Sequence, residues 1–177
     1  MNELKGKKIA ILTEDGFEEI ELTNPKEALE ATGAEVFIIS PKKEKVRAKA
    51  GDEWSNDYLV DQALNEVSAE DFDALILPGG VINPDKLRTN QEALTFVNSF
   101  FNARKIVAAI CHGPQTLINA KQVKNRRMTS VEAIAIDLEN AGALWADLEV
   151  VVDSNLITSR TPDDLPAFNK AIINALT

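Results

Sequence analysis

The segment from Arg104 to Ala120, RKIVAAICHGPQTLINA, determines the predicted fold. Ile106 to Ile110 is a short apolar run, typical of a strand that is buried on both faces in a parallel sheet. Gly113-Pro114 opens a helical pattern over Gln115 to Ala120, with proline in its first turn. The segment therefore predicts a strand followed directly by a helix, with Cys111 on the turn between them.

Apolar runs of strand length alternate with helical patterns along the rest of the chain. The other predicted strands are Lys7 to Thr13, Glu35 to Ser40, Asp73 to Pro78, Arg127 to Thr129, Leu148 to Val152 and Leu156 to Ser159. The other predicted helices are Pro25 to Thr32 with Asn24 as its cap, Asn90 to Asn102, Val131 to Leu138 and Leu165 to Leu176. This alternation predicts an α/β fold with a largely parallel sheet and right-handed crossovers.

The region from Pro41 to Gln62 is less regular and predicts a small hairpin or excursion. Its charged run, Lys42 to Lys49, is interpreted as a solvated face rather than a binding patch. Ser68 to Asp71 has the spacing of a capping box, which predicts a short helical turn. Asp153 to Asn155 has the composition of a hairpin turn between the last two strands.

Composition bounds the class of protein. The 177 residues are 45% hydrophobic and carry a formal net charge of −9, which predicts one domain over residues 1–177. No run approaches the ~18 apolar residues of a membrane span, and Met1 to Lys5 lacks the apolar core of a signal peptide, so we expect a cytoplasmic protein. The acidic balance disfavours nucleic acid and anionic lipid, because both need a concentrated positive field.

Cys111 is the only cysteine and precedes the only histidine, His112. Its turn, Ala109 to Gly113, resembles the nucleophile elbow G-x-S-x-G, with small residues at the flanks. A helix N-terminus favours the thiolate, so we expect a lowered pKa for Cys111. The alternative is an inert core cysteine, since free cysteine is among the most buried residue types.

The loops after three predicted strands should converge at the carboxyl edge of the sheet. They bring Glu18 to Glu21, Gly79-Gly80 and Cys111-His112 around one pocket, in which Glu18 and Gly79 are expected to contact the substrate. A backbone N–H of the glycine pair could join that of His112 in an oxyanion hole, although both glycines are also ordinary turn residues. The glutamates could equally form an acidic surface before a helix.

The residues give no support for a cofactor. Gly79-Gly80 is neither G-x-G-x-x-G nor a P-loop, and one histidine with one cysteine excludes a zinc site built from several such ligands. A carboxyl buried beside a thiolate would have a raised pKa and, when protonated, could donate a hydrogen bond to sulfur. His112 enters a helix next to Cys111, so its side chain is expected to point away from the sulfur.

Four motifs carry a resemblance to a known family. They are GFEEIELTNPKEAL, DALILPGGVINPDKLR, AAICHGPQTLI and SRTPDDLPAF, in this order, and the match runs from about Lys7 to Leu176. In these motifs the chain resembles the PfpI family, or intracellular protease I group. That family belongs to the superfamily of the parkinsonism-associated protein deglycase and glyoxalase III, with a class I glutamine amidotransferase-like fold.

The resemblance implies a flavodoxin-like three-layer sandwich with Cys111 as nucleophile and Glu21 as its carboxyl partner. It implies an oxyanion hole from the Gly80 and His112 backbones, and a third acid at Asp85 that acts across a subunit boundary in a homodimer or hexamer. The chain departs from the family where glutamate often stands in place of Asp85. It departs again at Val131, where relatives often carry an aromatic residue.

Three function classes follow. The first is an enzyme on reactive carbonyls, which converts methylglyoxal to lactate or removes such adducts from glycated protein, with Cys111 as nucleophile and Glu21 as proton shuttle. The second is an intracellular cysteine peptidase, and the third is a redox-sensing stress protein or holding chaperone. We rank the carbonyl enzyme first, because amide hydrolysis needs a well-oriented histidine as general acid. A glutamine amidotransferase is excluded, because it needs a histidine remote in sequence from its cysteine.

Overall fold

The computed structural model describes residues 3–177. The strands are β1 (Lys8–Leu12), β2 (Phe17–Glu18), β3 (Glu35–Ser40), β4 (Lys45–Ala50), β5 (Glu53–Leu59), β6 (Gln62–Ala63), β7 (Ala74–Leu77), β8 (Ile106–Ile110), β9 (Arg127–Met128), β10 (Leu144–Trp145), β11 (Val150–Asp153) and β12 (Leu156–Ser159). The α-helices are α1 (Glu19–Ala31), α2 (Ile82–Leu87), α3 (Gln91–Asn102), α4 (Pro114–Asn119), α5 (Ala135–Asn140) and α6 (Leu165–Leu176). Short 3-10 turns lie at Leu64–Glu66, Ala69–Asp71, Glu132–Ile134 and Pro162–Asp164.

The central sheet has seven strands in the order β11-β12-β8-β7-β1-β3-β6. Neighbouring strands are parallel except at β11 and β12, which pair antiparallel through the predicted hairpin. β8 lies between β7 and β12, so both its edges are hydrogen-bonded and its five residues can be apolar throughout. The predicted mostly parallel sheet is confirmed.

Helices cover both faces of this sheet. Side chains alternate along β1, so Ile9 and Ile11 enter one core cluster while Ala10 and Leu12 enter the other. Helices α2 to α5 cover the face that Ala10 and Leu12 enter, with Phe96 and Phe100 of α3 in its core, and α1 and α6 cover the face that Ile9 and Ile11 enter. The resulting three-layer arrangement is the predicted flavodoxin-like sandwich.

The excursion between β3 and β6 forms a small separate sheet. β4 and β5 pair antiparallel, as the hairpin prediction required, and β2 pairs parallel to β4. Glu19, the first residue of α1, accepts hydrogen bonds from Ser55, Asn56 and Tyr58 of β5. These contacts hold the hairpin beside the start of α1, close to the carboxyl edge of the central sheet.

The prediction that α1 begins at Pro25 is wrong. The helix begins at Glu19, and Pro25 is buried in its interior. Asn24 is not a cap, because its Oδ1 accepts a hydrogen bond from Asn169 of α6 at 2.8 Å. Contacts of the first turn with the hairpin therefore extend the helix backwards, past a dipeptide that typically starts one.

Candidate active site

Cys111 lies on the turn between β8 and α4, as predicted. Its backbone adopts a left-handed conformation with φ 61°, which is uncommon for a residue other than glycine. The turn is held on both sides, because the Cys111 N–H donates to Ser159 and its carbonyl accepts from Val131, both at 3.1 Å. Such local strain costs about 1–3 kcal/mol and persists only where surrounding contacts impose it.

Glu21 is fully buried in the first turn of α1 and faces the turn that carries Cys111. Its Oε2 accepts a hydrogen bond from the Gly79 N–H at 2.7 Å, whereas Oε1 has no partner among the described residues. Burial raises the pKa of Glu21 from 4.5 to about 8, opposed by the Gly79 N–H and the Cys111 thiol and assisted by the charge of Glu18. Glu21 is thus a carboxyl group that titrates near neutral pH.

The pKa of the Cys111 thiol is also raised. Burial raises its pKa, the charge of Glu21 raises it further, and the backbone N–H groups of His112 and Gly80 lower it. The prediction of a lowered pKa is therefore wrong. Helix α4 has only six residues, and desolvation by burial is the largest influence on the thiol.

His112 reaches the sulfur of its neighbour, contrary to the prediction. Its Nδ1 lies 3.3 Å from the Cys111 Sγ. The left-handed conformation of Cys111 turns the two adjacent side chains towards each other, which ordinary helical geometry would not do. Burial lowers the pKa of His112, so the imidazole is neutral at neutral pH.

The glycine pair between β7 and α2 approaches the reactive groups too closely for a side chain. A Cβ at Gly79 would lie 2.6 Å from the Glu21 Oε2 and 2.8 Å from the Cys111 Cβ. At Gly80, φ is 76° and a Cβ would lie 2.4 Å from the Gly16 carbonyl oxygen. Glycine at both positions lets the backbone N–H groups face Glu21 and Cys111 directly.

These groups open into one cavity of about 280 Å³. Its lining consists of Gly16, Glu18, Glu21, Lys49, Gly51, Asp52, Gly80, Val81, Ile82, Cys111, His112 and Pro162. Glu18 is fixed at the edge of the cavity, because its carboxylate accepts from the Gly51 N–H at 3.1 Å. The predicted convergence of Glu18, Glu21, the glycine pair and Cys111-His112 is therefore observed.

Several residues of the site were not predicted. Lys49 and Asp52 reach the cavity because the hairpin folds over it, so Lys49 does not belong to a purely solvated charged run. Pro162 comes from the turn after β12, within the SRTPDDLPAF motif. Asn83 is fully buried behind the glycine pair and hydrogen-bonds to its backbone, although a single asparagine after a loop gives no sequence signal.

Asp85 lies apart from these groups within the chain. It is exposed on α2 and is not part of the cavity lining. His112 has no carboxylate partner among residues 3–177. A role for Asp85 across a subunit boundary stays a prediction.

Within residues 3–177, no group of three or more His, Cys, Asp or Glu side chains is arranged to hold a metal ion. In the same part of the chain, no helix has the length and apolar character needed to cross a membrane.

Comparison with known families matches residues 7–175 to the DJ-1/PfpI family. The chain belongs to the DJ-1/PfpI family. This confirms the resemblance that the four motifs carried, over nearly the same range.

Named members of the DJ-1/PfpI family resemble this chain over almost its whole length. Protein/nucleic acid deglycase 2 of Escherichia coli is 46% identical over 96% of this chain and 98% of its own. The putative cysteine protease YraA of Bacillus subtilis is also 46% identical, over 96% of this chain and 98% of its own.

A solved structure from Anabaena variabilis agrees with the fold. It is a two-domain protein with DJ-1/ThiJ/PfpI-like and ferritin-like domains, and it matches with a TM-score of 0.89 at 40% identity. The match covers 96% of this chain and 48% of that one, so this chain spans about half of the two-domain protein.

Proposed function

We propose that this protein is a cysteine-dependent, stress-protective enzyme that acts on reactive carbonyls, as a glyoxalase III-type enzyme and protein deglycase. One observation carries the proposal: a buried carboxyl that titrates near neutral pH stands beside a cysteine thiol, with two backbone N–H groups directed at the sulfur. The relative named as a protein/nucleic acid deglycase supports the same class of activity.

The first step is attack of Cys111 on the aldehyde carbon of methylglyoxal. Because the thiol pKa is raised, the nucleophile is generated by transfer of the thiol proton to ionised Glu21 as the C–S bond forms. A base with a pKa of about 8 suits this task, since general catalysis works best when the pKa lies near the working pH. The product of this step is a hemithioacetal on Cys111.

The carbonyl oxygen becomes an oxyanion during this attack. The N–H groups of Gly80 and His112 converge on the sulfur, so they are near the place where that oxygen would develop charge. Donors fixed before the reaction stabilise such charge without reorganisation, and one of them is typically worth about 10²–10³ in rate. Both glycines of the loop are required for this approach.

Glu21 first gives the thiol proton to the oxyanion, which completes the hemithioacetal, and as a carboxylate it then moves a proton between the two adjacent carbons of the adduct. It takes the proton from the carbon bonded to sulfur and returns it to the neighbouring carbon, which converts the hemithioacetal into a lactoyl thioester. Water cleaves the thioester to give lactate and regenerates the thiol. Adducts of the same aldehyde on protein amines or thiols would be attacked at the equivalent carbon, which is the deglycase reaction.

A cysteine peptidase is the second candidate, and one observation favours it. The His112 Nδ1 lies 3.3 Å from the Cys111 Sγ, so the chain has a Cys-His pair that could protonate a leaving amine. The relative named as a putative cysteine protease points the same way. The carbonyl reaction still ranks first, because His112 lacks an orienting acid among the described residues.

One experiment separates the two candidates. Lactate formation from methylglyoxal and cleavage of fluorogenic peptides are measured side by side for wild type, Cys111→Ser, Glu21→Gln and His112→Ala. We expect Cys111→Ser to remove nearly all lactate formation, and Glu21→Gln to lower it by roughly 10²-fold or more through lost acid–base catalysis. Peptidase activity that depends on Cys111 and His112, without lactate formation, would reverse the ranking.

A further inference from the structure

Asn83, on α2, is the buried polar side chain that contacts the glycine loop most extensively. It is fully buried, and each of its amide atoms is hydrogen-bonded. Its Oδ1 accepts from the Glu14 N–H at 2.7 Å, and its Nδ2 donates to the carbonyl oxygens of Pro78 at 3.0 Å and Gly79 at 3.1 Å. The Glu14 contact fixes which way the amide points, since a flipped amide would place its NH2 group against an N–H donor.

The two carbonyl groups held by Asn83 belong to successive trans peptide groups. In a trans peptide group the C=O and the N–H are coplanar and point in opposite directions. The Pro78 carbonyl shares its peptide group with the Gly79 N–H, which donates to the Glu21 Oε2 at 2.7 Å. The Gly79 carbonyl shares its peptide group with the Gly80 N–H, which faces the Cys111 sulfur.

The Asn83 side-chain amide thus binds the carbonyl groups of both peptide groups whose N–H groups face Glu21 and Cys111. We propose that Asn83 is a positioning residue, which aims the Gly79 N–H at Glu21 and the Gly80 N–H at Cys111. Glycine leaves this loop with wide backbone freedom, and Gly80 already has φ 76°, so the loop needs an external anchor. The proposal deepens the proposed function and rests on it only where turnover is measured.

Replacing Asn83 should change the pKa values of Glu21 and Cys111 in a definite direction. Both N–H groups stabilise the anionic forms, of Glu21 and of Cys111, and so lower the two pKa values. Loss of their alignment should raise both values. A hydrogen bond to a charged group is worth about one pKa unit or somewhat more, so the reactive thiolate population at a given pH should fall about tenfold.

Asn83→Asp keeps the shape and the acceptor for the Glu14 N–H but loses both donors, and Asn83→Leu loses both donors without adding a buried charge that would itself raise the two pKa values. Iodoacetamide alkylation of Cys111 is measured from pH 6 to pH 10. We expect the profiles of both variants to move about one unit towards higher pH, with about tenfold slower alkylation below the midpoint. The lactate-formation profile should move in the same direction.

The control is Asn155→Asp, which removes a similar bond, from Asn155 Nδ2 to the Lys105 carbonyl at 2.8 Å, at the opposite end of β8. Its alkylation profile should match that of wild type. An Asn83→Leu profile that overlays wild type would assign Asn83 a purely structural role and overturn the proposal. Alkylation needs no turnover, so a wild-type protein that makes no lactate would contradict the proposed function and leave this result standing.

A measurement on the wild-type protein covers the case in which the Asn83 variants do not fold. Hydrogen exchange of side-chain amides, followed by NMR, should be many-fold slower for Asn83 than for the exposed Asn65. Equal exchange rates would show that the Asn83 amide does not hold the loop, which also overturns the proposal.

Discussion

Replacing Glu21 with glutamine should stabilise the folded protein at neutral pH while removing the proposed base. Glutamine has nearly the same shape, and its Oε1 can keep the hydrogen bond from the Gly79 N–H. It never ionises, so it avoids the desolvation that raises the pKa of Glu21 to about 8. The variant therefore measures how strongly the fold opposes the charge that catalysis needs.

The magnitude follows from proton linkage. Between pH 4.5 and about 8 the unfolded chain carries ionised Glu21 while the folded protein keeps it protonated, so stability falls as pH rises through this window. Each pH unit costs about 1.4 kcal/mol within the window. From pH 5 to pH 7, wild type should therefore lose about 2.5 kcal/mol relative to Glu21→Gln.

The assay is urea denaturation and scanning calorimetry of both proteins at pH 5, 6 and 7. A difference of about 2.5 kcal/mol corresponds to roughly 5–10 °C in Tm for a chain of this size. The range stops below the region where Cys111 would also titrate. Glu27→Gln is the control, because Glu27 is exposed on the same helix and should change stability by less than about 0.5 kcal/mol.

A stability difference between wild type and Glu21→Gln that does not change from pH 5 to pH 7 would refute this reasoning. A wild type that gains stability relative to Glu21→Gln as pH rises would indicate that the fold stabilises the Glu21 carboxylate. Either result would mean that Glu21 is ionised throughout the window and that burial does not raise its pKa to about 8.

Three other predictions concern the same region. Glu18→Gln removes a charge that raises the pKa of Glu21, so the pH profile of lactate formation should move towards lower pH, and an unchanged profile would contradict this. Gly80→Ala places a Cβ 2.4 Å from the Gly16 carbonyl oxygen at φ 76°, and should cost on the order of 1–3 kcal/mol by urea denaturation together with most of the activity. The chain should form a homo-oligomer with Asp85 at or near a subunit boundary, and sedimentation of a stable monomer at micromolar concentration would contradict it.

Much of the fold could be predicted because local patterns and the final structure agree there. Ile106 to Ile110 is apolar throughout and forms the doubly paired strand β8 over that range. Asn90 caps α3 through its side chain, and Ser68 with Asp71 forms the predicted capping box. In these cases the signal lies within a few neighbouring residues.

The differences arise where distant segments decide the outcome. Asn24 binds Asn169, 145 positions away, so the apparent cap before Pro25 is not used as one. Lys49 lines the cavity because β4 pairs with β2, which no pattern within the charged run reveals. Burial decides the sign of the Cys111 pKa shift, and burial depends on the packing of the whole chain around the elbow.

The proximity of His112 to the sulfur was also unpredictable from the motif alone. It depends on the left-handed backbone of Cys111, which contacts with Ser159 and Val131 impose. This geometry supports the cysteine peptidase hypothesis more than the sequence did. His112 still has no orienting acid among the described residues.

In the proposed reaction, Cys111 attacks the carbonyl carbon with Glu21 as its proton partner. Its most direct test is the rate of lactate formation from methylglyoxal by wild type, Cys111→Ser and Glu21→Gln at pH 8, with folding of each verified by circular dichroism. We predict steady turnover by wild type, almost none by Cys111→Ser, and a loss of roughly 10²-fold or more for Glu21→Gln. Lactate formation by Cys111→Ser at the wild-type rate would contradict the account.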